Sequence, residues 1–220
     1  MPFRQLIFAL FAPMLALAAT ASDTQPAPES TPDPGAVMLI LDASGSMWGE
    51  IDGQPKIAIA RATIGGILDD WNRAREIGLM AYGHREKGDC GDIEVLIPVA
   101  ALDRERFIQR VEEIVPKGKT PLTDAVELAA ATLRISEEPA SVILISDGRE
   151  TCDRDPCAAA DKLAAQGVDF KAHVVGFDIA DDEQQGLRCL ASRTGGEFVR
   201  AGDADELKQA LESVVAKVEK

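Results

Sequence analysis

The segment VMLILDASGS, residues 37–46, is the strongest indication of the fold in this sequence. Its first five residues are all apolar, which is typical of a short parallel strand buried on both faces. Residues 142–148, VILISDG, repeat the pattern, because four apolar residues are followed directly by Ser146 and Asp147. Ligands of open parallel sheets bind beyond the carboxyl ends of the strands. The two stretches therefore predict polar chemistry at one edge of a sheet.

Strands and helices alternate along the rest of the chain. Further strands are predicted at residues 76–82, 93–99, 170–177 and 197–200, and helices at 57–71, 103–114, 122–133, 155–167, 181–193 and 203–218. Such alternation favours right-handed crossovers and helices on both faces of the sheet. Only the polar turn 84–92 separates the second and third strands, so these two should pair antiparallel, with Pro98 suiting an edge position. The predicted fold class is α/β, with a doubly wound, mostly parallel sheet and one antiparallel edge strand.

The first 21 residues have the features of a secretory signal peptide. Arg4 supplies the positive charge, residues 6–18 form an apolar run, and residues 19–21 provide an A-x-A cleavage site. An uncleaved anchor is the alternative, but the run is shorter than the about 20 residues that a membrane span needs. Residues 22–35 contain four prolines and no large apolar side chain, so they are predicted to be a linker before a folded domain at 36–220. We expect a periplasmic or extracellular protein.

Charge and cysteine content narrow the function classes. The formal net charge of −14 argues against binding to nucleic acid or to an anionic membrane surface, since both need an excess of basic residues. An even number of cysteines in an exported chain predicts two disulfides among Cys90, Cys152, Cys157 and Cys189. Three pairings are possible. A zinc site is disfavoured because there is no C-x-x-C and the two histidines are scattered.

Five oxygen-bearing side chains are candidates for a metal site. Asp42, Ser44 and Ser46 follow the first strand, Asp147 follows the strand at 142–145, and Thr120 lies in a loop that leads into a helix. Ligands that are all oxygen favour a hard cation, namely Mg²⁺, Mn²⁺ or Ca²⁺. A helix-capping turn is the alternative for residues 42–46. The positions of Thr120 and Asp147 favour the metal site.

Residues 37–215 resemble von Willebrand factor A (VWA) domains that carry a metal-ion-dependent adhesion site (MIDAS). The resemblance rests on the segments DASGSM, GKTPL and ILISDG. It implies that Ser44, Ser46 and Thr120 bind the metal through their hydroxyls, whereas Asp42 and Asp147 act mainly through bound waters. It also implies that one open position on the ion accepts an Asp or Glu side chain of a partner protein or peptide.

Enzymatic interpretations are weaker. A phosphate-binding loop ending in Gly118–Lys119–Thr120 would need glycine where Glu113 stands, so no nucleotide is expected. An aspartyl-phosphate mechanism at Asp42 would need a second carboxylate where Ser44 stands. His84 is predicted to be a solvated surface residue and His173 a packed strand residue. We therefore predict a binding module, with an assembly subunit whose metal site is idle as the alternative and a phosphoryl-transfer enzyme as a more remote one.

Residues next to the candidate site leave two further questions open. Glu150, Asp153 and Asp155 are expected to be solvated loop charges, although they could bind a second cation. Met47 and Trp48 could form an apolar rim for a partner or belong to the core.

Overall fold

The computed structural model describes residues 1, 35–133, 139–166 and 169–218. The predicted signal peptide and linker lie outside these residues, apart from Met1 and Gly35. The helix end expected at Gly167 and the last two residues of the predicted domain also lie outside them.

Eight strands form two sheets within the described residues. They are β1 (Ala36–Asp42), β2 (Glu50–Ile51), β3 (Gln54–Pro55), β4 (Glu76–Tyr82), β5 (Ile93–Ala100), β6 (Ala140–Ser146), β7 (Phe170–Phe177) and β8 (Phe198–Ala201). The large sheet has the order β5-β4-β1-β6-β7-β8, and all its neighbours are parallel except β4 and β5. The predicted α/β architecture with an antiparallel edge strand is confirmed, and β2 and β3 add a small hairpin that was not predicted.

Six α-helices within the described residues cover the sheet on both sides. They are α1 (Lys56–Ile67), α2 (Arg104–Glu112), α3 (Leu122–Leu133), α4 (Pro156–Ala165), α5 (Gln185–Arg193) and α6 (Ala204–Val218). Residues of α1, α2 and α6 share one apolar cluster with Leu39 and Leu41, and residues of α3, α4 and α5 share the other with Met38 and Ile40. Alternate residues of β1 thus enter opposite cores, which is why this strand has no polar face.

Two helices differ from their predicted extents. The helix predicted at 57–71 ends at Ile67, after the Gly65–Gly66 pair, where low helix propensity weakens it. Trp71 is nevertheless buried, and its indole nitrogen donates to the Arg75 carbonyl. The helix predicted at 181–193 is divided into a 3₁₀ turn at Asp181–Glu183 and α5.

The strand order places a crevice between β1 and β6. From β1 the chain moves outward to β4 and β5, and β6 then lies on the other side of β1. The strand order therefore reverses direction at β1, and open α/β sheets bind ligands at such a reversal. Asp42 ends β1 and Asp147 follows β6, so both carboxylates belong to loops at this crevice. None of the helices in the described residues is long and apolar enough to cross a membrane.

Candidate functional site

Asp42 is fully buried at the end of β1, and both of its carboxylate oxygens accept hydrogen bonds. The Ser44 amide donates to Oδ1 at 2.7 Å, and the Ser146 hydroxyl donates to Oδ2 at 2.7 Å. The Tyr82 hydroxyl donates in turn to Ser146 Oγ at 3.1 Å. Asp42 therefore fixes the start of the loop 43–46 and ties β1 to β4 and β6.

Burial, together with the charge of Asp147, raises the pKa of Asp42 to about 6. The hydrogen bonds from Ser44 and Ser146 oppose this effect because they stabilise the charged form. A buried carboxylate beside a second carboxylate creates a negative potential that a cation would relieve.

Ser44, Ser46 and Asp147 form a chain of short side-chain contacts across the crevice. Ser44 Oγ lies 3.0 Å from Ser46 Oγ, and the Ser46 hydroxyl donates to Asp147 Oδ1 at 2.6 Å. Adjacent oxygen ligands of an octahedral Mg²⁺ with bonds of about 2.1 Å are about 3.0 Å apart. The two serine oxygens thus have the spacing of neighbouring ligands on one small cation.

Thr120 is connected to these loops through the backbone. Its amide donates to Thr151 Oγ1 at 2.8 Å and its carbonyl accepts from the Thr151 amide at 3.1 Å, which ties it to the loop after Asp147. Two residues earlier, the Gly118 carbonyl accepts from the Gly45 amide at 3.0 Å. Thr120 itself is buried. Among the described residues, no hydrogen bond joins its hydroxyl to the other four candidate side chains.

Gly83 allows the loops to come this close, and the sequence did not reveal its role. Its φ is 68°, and a Cβ atom there would lie 2.5 Å from the Lys119 carbonyl oxygen and 3.1 Å from Ser44 Cα. Its own carbonyl accepts from the amides of Lys117 and Gly118. Any side chain at this position would push the segment at 117–120 away from the loop at residues 43–46.

Lys56 is the main residue of the site that the sequence analysis missed. Its ammonium lies 3.2 Å from Asp147 Oδ2 and 2.8 Å from Asp178 Oδ2, and its side chain is 11% exposed. Burial by itself lowers the pKa of Lys56, but the hydrogen bond to Asp178 and the charge of Asp147 outweigh it, so the pKa is raised and the ammonium stays charged. A lysine at the first position of α1 opposes the helix dipole, and this mismatch was the available signal.

Two of the three acidic residues after Asp147 serve as helix caps, whereas Asp153 is exposed, as expected for a loop charge. Glu150 accepts from the Thr123 amide at the start of α3 and from the Cys152 amide, at 2.9 and 2.7 Å. Asp155 caps α4. Thr123 lies in the first turn of α3, as predicted. The expectation of solvated charge was therefore wrong for Glu150, because backbone donors occupy its carboxylate.

Three other expectations have clear outcomes. Met47 belongs to the core, whereas Trp48 is 51% exposed. His84 is not a solvated residue: its side chain lies between Asp92 and Glu94, with Nε2 3.2 Å from Glu94. Burial is the main cause that lowers the pKa of His84. His173 is buried in β7, as predicted.

Two disulfides are present, as predicted from the cysteine count. Cys90 pairs with Cys152, which joins the turn between β4 and β5 to the loop after Asp147. Cys157 pairs with Cys189 and joins α4 to α5. This pairing, one of three that the sequence allowed, fits an exported protein.

No group of three or more His, Cys, Asp or Glu side chains with the potential to hold a metal occurs among residues 35–133, 139–166 and 169–218. A cation at this crevice would depend on hydroxyl oxygens beside two carboxylates. That donor set fits Mg²⁺, which is bound through few carboxylates and keeps several waters.

A family model described as von Willebrand factor type A domain matches residues 36–213. The chain belongs to this family. It is 28% identical over 190 residues to YwmD of Bacillus subtilis (strain 168), a match that covers 82% of this chain and 85% of YwmD. VWA domains are mostly adhesion or interaction modules.

Two solved structures share the fold of this VWA domain. The pilus adhesin SpaC of Lactobacillus rhamnosus GG has a TM-score of 0.69 and 14% identity, over 86% of this chain and 31% of SpaC. Proximal thread matrix protein 1 of the mussel byssus, with a zinc-occupied MIDAS motif, has a TM-score of 0.65 and 17% identity, over 84% of this chain and 46% of that protein. The chain spans less than half the length of each of these proteins.

Proposed function

We propose that this VWA domain binds a divalent cation, Mg²⁺ in the first place, and recognises a carboxylate of a partner protein through it. The ligand set comprises Ser44, Ser46 and Thr120, with Asp42 and Asp147 acting through bound water. The observation that carries the proposal is the contact chain Ser44–Ser46–Asp147, which brings two loops 101 residues apart into ligand spacing. The zinc-occupied MIDAS of the mussel protein supports the same kind of site.

The bound ion would supply an electrophilic position that accepts a partner carboxylate. The residues of the chain have separate tasks around it. Asp42 orders the serine loop through its bond to the Ser44 amide, and Asp147 holds the Ser46 hydroxyl. Lys56 offsets part of the carboxylate charge, so that the ion keeps affinity for an external anion.

Two features support an exported location, in the periplasm or the extracellular space. The first is the signal-like residues 1–21, and the second is the pair of disulfides. The negative net charge is consistent with a partner other than nucleic acid.

Isothermal titration of the full chain with Mg²⁺, Mn²⁺ and Ca²⁺ tests the metal site. We expect one site per chain and a loss of affinity of at least tenfold in Ser46→Ala, since an exposed hydroxyl ligand is removed without opening the core. Ser192→Ala, an exposed serine of α5, is the matched control and should titrate like the wild type. Equal affinities of wild type and Ser46→Ala would refute the proposed ligand set.

Capture of partners from an envelope extract, with Mg²⁺ or with EDTA, tests the use of the metal. We expect captured proteins to be released by EDTA and to rebind when Mg²⁺ is restored. A complex that persists in EDTA would show an assembly role in which the metal does not take part.

A further inference from the structure

Trp48 presents a fixed aromatic surface beside the candidate metal site. Trp48 lies two residues after Ser46 and is 51% exposed, and its indole nitrogen donates to the Pro116 carbonyl at 2.8 Å. Val115, the residue before Pro116, is 40% exposed. An indole held by a hydrogen bond loses little conformational entropy when a partner covers it, which makes it an effective anchor.

Backbone hydrogen bonds join the loop at residues 43–48, which contains Trp48, to the segment at 115–119. The Lys117 amide donates to the Ala43 carbonyl at 3.0 Å, and the Gly45 amide donates to the Gly118 carbonyl at 3.0 Å. The loop at residues 43–46 and the exposed residues Trp48 and Val115 are therefore parts of one surface. The backbone hydrogen bonds fix the two segments relative to each other.

Three lysines add positive charge to this surface. Lys117 and Lys119 flank Gly118, and Lys87 lies in the turn whose Glu86 carbonyl oxygen would be 2.7 Å from a Cβ atom at Gly118. All three are exposed, and none has a carboxylate oxygen within 4.0 Å among the described residues.

The two glutamates nearest to Val115 in the chain each form an ion pair with an arginine. Glu112 is paired with Arg61 and Glu113 with Arg110. Glu86 is exposed but forms no ion pair with Lys87 among the described residues. In a chain with a net charge of −14, unpaired lysines around this one crevice point to an acidic partner.

We infer that the Trp48 surface, which consists of Trp48, Val115, Lys87, Lys117 and Lys119, binds an acidic segment of a partner protein. The segment has a large apolar side chain within about three residues of the carboxylate that reaches the metal, and further acidic residues around it. The apolar side chain packs on Trp48 and Val115, and the additional carboxylates face the lysines. This inference rests on the proposed function, because the metal supplies the central contact.

Selection from a phage-displayed library of random dodecapeptides tests this specificity. The immobilised full chain is loaded with Mg²⁺, and bound phage are eluted with EDTA. We expect the enriched peptides to combine Asp or Glu with a large apolar residue within about three positions and to carry net negative charge. Enrichment of Asp or Glu without an apolar neighbour, or among neutral and basic peptides, would overturn the inference and leave the proposed function intact. Absence of any EDTA-eluted peptide would contradict both.

Variants then test the contributions of Trp48 and of the lysines to peptide binding separately. For a fluorescein-labelled peptide of the enriched class, Trp48→Ala should weaken binding at least tenfold. The double variant Lys117→Glu/Lys119→Glu should weaken it about three- to tenfold at low salt, and by less in 0.5 M NaCl. Trp48→Ala should keep the Mg²⁺ affinity of the wild type, and the double lysine variant should not lower it, which distinguishes a docking surface from a damaged metal site.

Matched controls come from exposed residues elsewhere. Leu128→Ala removes an exposed apolar side chain of α3, and Lys162→Glu reverses an exposed lysine of α4. Neither should change peptide affinity. Trp48→Ala or the double lysine variant binding the peptide as tightly as these controls would overturn the inference.

Discussion

The ammonium of Lys56 lies 3.2 Å from Oδ2 of Asp147, the carboxylate whose other oxygen accepts from Ser46. One oxygen of Asp147 thus faces the candidate metal ligands and the other faces a buried cation. Asp178 contacts the same ammonium at 2.8 Å and is about half exposed. The charge of the site is therefore set by the carboxylates of Asp42, Asp147 and Asp178 and by the ammonium of Lys56.

Replacing Lys56 with methionine should raise metal affinity and weaken carboxylate binding. The variant keeps most of the side-chain volume but removes the positive charge beside Asp147, so a cation should bind about three- to tenfold more tightly. An ion surrounded by more negative charge then attracts a partner carboxylate less. Titration with Mg²⁺, followed by titration of the loaded protein with an acidic peptide, measures both effects. A fall in metal affinity would contradict this role.

The same variant should be less stable in the absence of metal. Asp147 is buried and would lose its charged partner, whereas the solvent around Asp178 limits the loss there, so we expect a cost of about 2–3 kcal/mol. Urea unfolding in EDTA measures it, and Lys56→Arg, which keeps the charge, should lose less. Equal stability of wild type and Lys56→Met would show that the ion pair contributes nothing to the fold.

Ser146 should matter more than Tyr82 to the network around Asp42. Ser146→Ala removes a donor to Asp42 and the acceptor of the Tyr82 hydroxyl, leaving two buried groups without this partner, and should cost about 2–3 kcal/mol. Tyr82→Phe removes only the terminal donor and should cost about 1 kcal/mol. Urea unfolding of both variants gives the comparison. The reverse order would contradict the direction of the hydrogen bonds.

The two disulfides should differ in their effect on metal binding rather than on stability. Chain-entropy estimates for closed loops of 62 and 32 residues are both about 4 kcal/mol. Only Cys90–Cys152 is attached to the loop after Asp147, so Cys90→Ser/Cys152→Ser should weaken Mg²⁺ binding, whereas Cys157→Ser/Cys189→Ser should not. Unfolding and calorimetry on both double variants test this. A loss of Mg²⁺ affinity in the second variant alone would be inconsistent with it.

His173 should favour unfolding as the pH drops below about 6.5. Burial is the main cause that lowers its pKa, and the nearby Lys217 and Lys171 act in the same direction against Glu197. Between the unfolded pKa and the lowered folded pKa the unfolded state binds more protons, so acid favours unfolding. His173→Gln removes this contribution, so the unfolding free energy of the variant should gain relative to that of the wild type when the pH is lowered from 7 to 5. An unchanged slope would show that His173 does not contribute.

Much of the fold could be predicted because its strongest signals are local. Buried strands can be recognised from continuous apolar runs such as residues 37–41 and 142–145. Helices can be recognised from their capping residues, as in α2 and α4. The placement of Asp42 and Asp147 at one crevice followed from the rule that parallel strands share a carboxyl edge.

The missed features depend on contacts between distant segments. Lys56 meets Asp147 across 91 residues, and neither neighbourhood indicates the other. Gly83 has no room for a side chain because the Lys119 carbonyl lies against it, and Glu150 accepts a hydrogen bond from the start of α3. The end of α1 was overestimated because Trp71 continues the apolar spacing after the helix has stopped.

Anomalous diffraction from crystals soaked in Mn²⁺ is the most direct test of whether Ser44, Ser46 and Thr120 share one cation. We expect one peak in the crevice between β1 and β6, at about 2.1 Å from Ser44 Oγ and Ser46 Oγ and within direct reach of Thr120 Oγ1. Asp42 and Asp147 should lie in the next layer, in contact through water. A peak elsewhere, or a Thr120 hydroxyl too far away to share the ion with the two serines, would contradict it.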